Sequence, residues 1–169
     1  PLPARGTPRD PLFSWVIGMA ALTMIILLTG TYIVGRDASA VCPDWPMCNG
    51  GGLPDFGLQW EHMSHRMIAA IGGLFILVGA MKGRKYKARS RALAGMSMGA
   101  AGLLVAQVIA GAANPWFNFV AAPQVIHLSL ATALWGHLIA MAVVAYRLAP
   151  DDGTAEQADA QEHEPTPPS

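Results

Sequence analysis

The sequence has 169 residues, 53% of them hydrophobic and only 13% charged, with a mean hydropathy of +0.36. Soluble domains carry about 25% charged residues, so a water-soluble globule is excluded and a membrane protein is expected. The formal net charge is zero, and the cations gather in one short stretch instead of lining a groove, which argues against a nucleic-acid partner. Two cysteines fit either one disulfide on an oxidising face or a thiol pair with redox work, and their number alone does not choose.

Residues 1–11, PLPARGTPRDP, are proline-rich and polar and read as an extended arm at the membrane surface. From Leu12 to Val34 no charge interrupts the chain, and about 20 apolar residues suffice to cross a hydrocarbon core of about 30 Å. A cleaved signal peptide has a shorter apolar core of about 7 to 15 residues, so a retained helix is expected over 12–34. Thr23, Thr29 and Thr31 are tolerable there because hydroxyls bond back to the helix backbone.

Gly35 to Gln59 is broken by charges, prolines and glycines and reads as an ordered external loop. A second span is expected over 60–81, with Trp60 as an interfacial aromatic. Its polar residues, Glu61, His62, His65 and Arg66, crowd into the first turns, where ionisable groups are costly to keep in lipid. The stretch KGRKYKARSR follows, with Lys82, Arg84, Lys85, Lys87, Arg89 and Arg91 and no acid, which marks the cytoplasmic side. The third span, 92–113, is rich in glycine and alanine, permitting close helix approach, and holds one amide, Gln107. Asn114 to Pro123 turns the chain, with Trp116, Phe117 and Phe119 at headgroup level, and the fourth span, 124–148, carries His127 and His137. The tail 149–169 is acidic and too polar to fold.

The expectation is an all-α integral membrane protein, a four-transmembrane-helix bundle in a cell (inner, cytoplasmic) membrane with both termini cytoplasmic. Helices two and four then run the same way, and both His65 and His127 lie about 6 to 8 Å inside the outer boundary. Two imidazoles at matched depth suit the axial positions of a heme, which bundles build from facing helices. The bland alternative is that each histidine hydrogen-bonds a neighbouring helix. Glu61, one turn before His65 on the same face, is a candidate proton acceptor or partner of an imidazole N–H, and otherwise a solvated acid. His62 competes with it. Arg66 is a candidate partner for a heme propionate or else a snorkelling cation, and Gln107 lies at a comparable level. Cys42 and Cys48 enclose a stiff loop with Pro43 and Pro46, where a disulfide is the default, as a staple or a redox relay. His137 is about 80° round the helix from His127, a helix contact or a lower site.

CPDWPMCNG at 42–50, followed by an E…HR segment, resembles the first external loop and second helix of the heme A synthase family. QVIAG (107–111) and VIHLSLATALW (125–135) are similar to that family's third and fourth helices. The resemblance implies that His65 and His127 are the heme-ligating pair, Cys42 and Cys48 the external cysteines, and Glu61 the catalytic carboxylate. It implies oxidation of the heme O methyl group to the formyl group of heme A through successive hydroxylations, for cytochrome oxidase biogenesis, with heme b as a further cofactor. Two departures stand out. The family has eight helices in two similar halves, and only one half is present, so a homodimer or a second four-helix half is expected as partner. The family's carboxylate also stands three residues before the histidine, where this chain has His62. Heme O synthase or oxidase assembly proteins are further candidate partners. The competing reading is a non-enzymatic heme-binding subunit for electron transfer or oxidase assembly.

Overall fold

The computed structural model describes residues 11–88 and 90–147. The expected arm other than Pro11, Leu148 at the end of the fourth span, Arg89 and the acidic tail 149–169 lie outside the described residues. Four helices carry the fold: α1 (Pro11–Gly35), α2 (Gly57–Arg84), α3 (Arg91–Trp116) and α4 (Ala121–Arg147). Each is long and apolar enough to cross a membrane, and no strand occurs among the described residues. The protein is an all-α, multi-pass membrane bundle.

The helices have 25 to 28 residues, or about 38 to 42 Å at 1.5 Å per residue, longer than the apolar slab they cross. Each therefore projects past its uninterrupted apolar run into the headgroup zone. Much of KGRKYKARSR is accordingly helical: α2 continues to Arg84, a 3-10 turn follows over Lys85–Ala88, and Ser90 caps α3 by accepting from Leu93 N. α3 also runs through Pro115, which has no N–H for the Gly111 carbonyl. Asn114 Nδ2 supplies the missing donor, reaching Ala110 O at 3.1 Å and Gly111 O at 3.4 Å.

Two helix ends close in the same way. Beyond α1, Asp37 takes a left-handed φ of 54°, with Ala38 N bonded to Ile33 O and Asp37 N to Val34 O. Beyond α3, Asn118 has φ 52°, with Phe119 N on Asn114 O and Asn118 N on Pro115 O. Both are Schellman closures, which satisfy carbonyls that a helix end would otherwise leave open.

Successive helices are antiparallel neighbours and α1 packs on α4 to close the ring. Among the described residues no Cα of α2 comes within 8 Å of one in α4, and the same holds for α1 and α3. The main core lies towards the basic end: Leu12, Val16, Met19 and Ala20 of α1, Ile76 of α2, Leu93 and Ala100 of α3, and Leu134, Leu138 and Met141 of α4. A small second cluster, Cys42, Cys48 and Met63, lies at the opposite, loop end. The polar residues of the spans fall between the two.

Close helix contact is concentrated at glycines of α2. A Cβ on Gly83 would collide with the buried Ser97 side chain of α3, and one on Gly79 with the Met19 thioether of α1. Gly83→Leu is expected to cost about 1 to 3 kcal/mol by overpacking, read as a lowered Tm of the purified protein in detergent, whereas Gly95→Leu, which meets open space, should leave Tm close to wild type.

Candidate functional site

His65 and His127 stand on the diagonal helices α2 and α4. The helices begin earlier than expected, and the two histidines stand about 12 Å and about 9 Å from the starts of α2 and α4. Both are partly buried.

Each ring is held by a neighbouring helix through one nitrogen. The Thr29 hydroxyl of α1 donates to Ile26 O at 2.9 Å, so towards His65 Nδ1, also at 2.9 Å, its oxygen accepts. That arrangement corresponds to the His65 tautomer with the hydrogen on Nδ1, which leaves the lone pair on Nε2. At His127, Nδ1 lies 3.2 Å from the backbone oxygen of Gln107. A carbonyl only accepts, so Nδ1 is again the protonated nitrogen, and the unprotonated Nε2 accepts from Gln107 Nε2 at 3.4 Å.

Glycines make these contacts possible. A Cβ at Gly30 would stand 3.2 Å from His65 Cε1, and one at Gly111 would stand 3.0 Å from His127 Cε1. Gly111 is one turn beyond Gln107, and the absence of a side chain there lets the imidazole reach the Gln107 carbonyl. His137 follows the same pattern with opposite chemistry: it packs on Gly99 and uses Nε2, at 2.7 Å, to donate to Met96 O. His137 is thus a helix contact, with its Nε2 already occupied. The sequence shows Thr29 only as a back-bonding hydroxyl and gives Gly30 and Gly111 no place beside the histidines, because those roles depend on which helix each faces.

The remaining candidates take different places. Glu61 does not bond His65; its carboxylate meets Arg36 Nε at 3.4 Å, with side chains 30% and 52% exposed. Hydrogen bonding and charge from Glu61 raise the Arg36 pKa further, but such an exposed pair adds little stability. His62 Nδ1 donates to Ala38 O at 2.9 Å and ties α2 to the cap of α1. The imidazole N–H that a carboxylate was expected to hold is held by Thr29 instead.

Arg66 folds the cysteine loop around itself. Its Nη1 donates to the carbonyls of Asp44, Pro46 and Met47 and its Nη2 to that of Cys42. These contacts compete with the expected propionate pairing. Cys42 and Cys48 form a disulfide and are fully buried. Gln59, two turns before Arg66 and 5% exposed, completes the anchorage by donating to Val41 O and Asn49 Oδ1 and accepting from Asp55 N and Asn49 Nδ2. Asp44 Oδ2 accepts from Gly50 N across the loop. Trp45 meets Trp116 of α3 edge to face.

A heme iron needs an unprotonated imidazole nitrogen whose other nitrogen is fixed; His65 meets that condition in the tautomer that donates to Thr29, and His127 meets it on giving up the long 3.4 Å contact from Gln107 Nε2. The apolar core stops below them, and Gln107 Oε1 is buried beside His127 with no hydrogen-bond partner. These residues fit the group.

The sequence matches the cytochrome oxidase assembly protein family over residues 5–139. The chain belongs to that family. It is 31% identical over 122 residues to heme A synthase of Symbiobacterium thermophilum and 28% identical over 125 residues to heme A synthase of Bacillus pumilus, alignments that cover 72% and 73% of this chain and 40% of each relative. It is also 27% identical over 154 residues to a protoheme IX farnesyltransferase of Haloarcula marismortui, covering 89% of this chain and 32% of that protein. The chain thus spans about 40% of the length of the heme A synthases it matches.

Within the family's loop, the guanidinium fork of Arg66 is the element a lysine cannot imitate. Arg66→Lys keeps the charge but leaves loop carbonyls unmet, at about 1.5 to 3 kcal/mol for a charged hydrogen bond. Reduction of the Cys42–Cys48 disulfide by a soluble phosphine should then be at least about tenfold faster than in wild type; an unchanged rate would contradict the anchoring role.

Proposed function

We propose that this chain is a four-helix heme-binding unit of the heme A synthase type, acting in the cell membrane on heme O and completed by a second four-helix half, either another copy or a separate chain. The observation that carries the reading is the His65 and His127 pair: two imidazoles on diagonal helices, each held by a hydrogen bond at Nδ1, with only a long 3.4 Å amide contact at the Nε2 of His127. The positive-inside rule puts the basic end in the cytoplasm, which places both termini there and the disulfide and histidines towards the outer face.

His65 and His127 would hold the heme, which when bound would supply the redox chemistry for oxidising a porphyrin methyl group towards formyl, with an external oxidant accepting the electrons removed. The chain's residues orient the group and handle protons. Thr29 and the Gln107 carbonyl hold the imidazole tautomers; Gln107 Oε1 offers an unused acceptor at the same level. Glu61, one turn nearer the loop than His65, takes up protons released in the oxidation, held meanwhile by Arg36. Arg66 and Gln59 keep the cysteine loop over this end of the bundle, where it limits entry of water, and Arg66 stands beside any propionate directed that way. The match to a protoheme farnesyltransferase twice the size of a four-helix unit and more supports a working partnership with heme O synthesis.

A second reading, a heme carrier in electron transfer or oxidase assembly, is favoured by the turn of Glu61 towards Arg36 and away from His65. Heme extraction after co-expression with a heme O source separates the two. The synthase reading expects formyl heme from wild type, loss of bound heme in His65→Ala and in His127→Ala, and retained but unoxidised heme in Glu61→Gln. Unmodified heme bound by wild type under these conditions would leave only the carrier. Thr29→Val, isosteric but unable to accept from Nδ1, should lower heme affinity by about 10- to 100-fold, while Thr29→Ser stays near wild type; equal affinities would remove Thr29 from the site.

A further inference from the structure

At the end of the bundle opposite the histidines, Arg84, Lys87 and Arg91 line a cleft of about 480 Å³ whose remaining walls are Ala94, Gly95 and Met98 of α3. The three cations share a wall with a strip of apolar surface. Met98 is 50% exposed, and a Cβ on Gly95 would meet no atom within 4 Å, so the strip is open along the outside of α3.

The protein provides these cations with no counter-ion among the described residues. From His62 to Pro150 the sequence contains no aspartate or glutamate, and α1 contains none either. Glu61, the sole acid of the four helices, is at the other end and paired with Arg36. Lys82 is accounted for differently, held 3.6 Å over the Trp15 ring, which in turn stacks on Phe75. Arg84, Lys87 and Arg91 have neither an acid nor an aromatic partner among the described residues.

We propose that this cleft is a binding site for an anionic phospholipid, its phosphate held by Arg84, Lys87 and Arg91 and one acyl chain lying over Gly95 and Met98. Basic pockets where transmembrane helices meet the headgroup layer suit such lipids, each cation contributing about 1 kcal/mol, or about fivefold in affinity. Outside the described residues, the other sources of negative charge in the sequence are Asp10, a single acid next to Arg9, and this chain's own tail, with Asp151, Asp152, Glu156, Asp159, Glu162 and Glu164. Between Asp151 and Glu164 the tail offers only alanine as an apolar side chain, so it would answer the charge and leave the strip over Gly95 and Met98 uncovered. A diacyl lipid answers both.

The test uses the full chain in nanodiscs of phosphatidylcholine with or without phosphatidylglycerol, followed by native mass spectrometry of retained lipid. Wild type should retain phosphatidylglycerol selectively. Arg84→Gln should lower retention about fivefold, and the double variant with Arg91→Gln further. Gly95→Leu, which fills the strip without touching charge and meets open space, should lower it as well. Selectivity unchanged in Gly95→Leu would reduce the effect to general surface charge and overturn the site. Equal retention of the two lipids by wild type, or retention that rises several-fold only when Asp151, Asp152 and Glu156 are changed to amides, would overturn it in favour of an empty cleft or of the tail. Heme content measured on the same samples checks that the bundle is intact.

Discussion

An imidazole inside a bilayer must have its N–H satisfied without water, and a metal-ligating imidazole must meet that need with one nitrogen while leaving the other bare. That constraint organises the loop-side half of this bundle. Thr29 and the Gln107 carbonyl take the two Nδ1 hydrogens, and both acceptors are reachable because the facing helix carries glycine where a ring lies, Gly30 for His65 and Gly111 for His127. His137 shows the alternative outcome on the same helix. It satisfies itself through Nε2 on Met96 O, and a histidine so bonded is a strut between helices.

The packing follows the same division. Large buried side chains such as Met19, Ile76, Leu138 and Met141 fill the basic half, while the level of Thr29, His65, Gln107 and His127 holds polar groups and the backs of glycines. Above that level the disulfide loop forms its own small core with Met63 and is tied to α2 by Arg66 and Gln59. A rigid base, a polar tier and an anchored cover give the bundle the side chains on facing helices from which a cofactor site can be built.

The helices were legible in the sequence because twenty or more apolar residues in a row leave the chain few choices in lipid, and the clustering of His65, Glu61 and Arg66 near one end of a span announced a polar tier. The partners of those residues were not legible. Thr29 reads in one dimension as a hydroxyl that bonds its own helix, which it does; that its oxygen also accepts from His65, thirty-six positions later, is a tertiary fact. Arg66 looked equally suited to a propionate, and only the folded loop puts four carbonyls around it. Asn114 and Pro115 read as the start of a turn, yet both lie in α3, where the Asn114 side-chain amide supplies the donor that Pro115 lacks. Helical spacing puts Glu61 on the face of His65, as a proton acceptor, an imidazole partner or a solvated acid, and in the fold its carboxylate meets Arg36 just past α1.

The central claim is that one heme is held by two neutral imidazoles from α2 and α4. Near-infrared magnetic circular dichroism of the oxidised heme-loaded chain reads axial ligation directly. The account predicts a low-spin, six-coordinate iron with the charge-transfer band of bis-histidine ligation; a five-coordinate high-spin iron, or a six-coordinate one whose second ligand is not histidine, would contradict it.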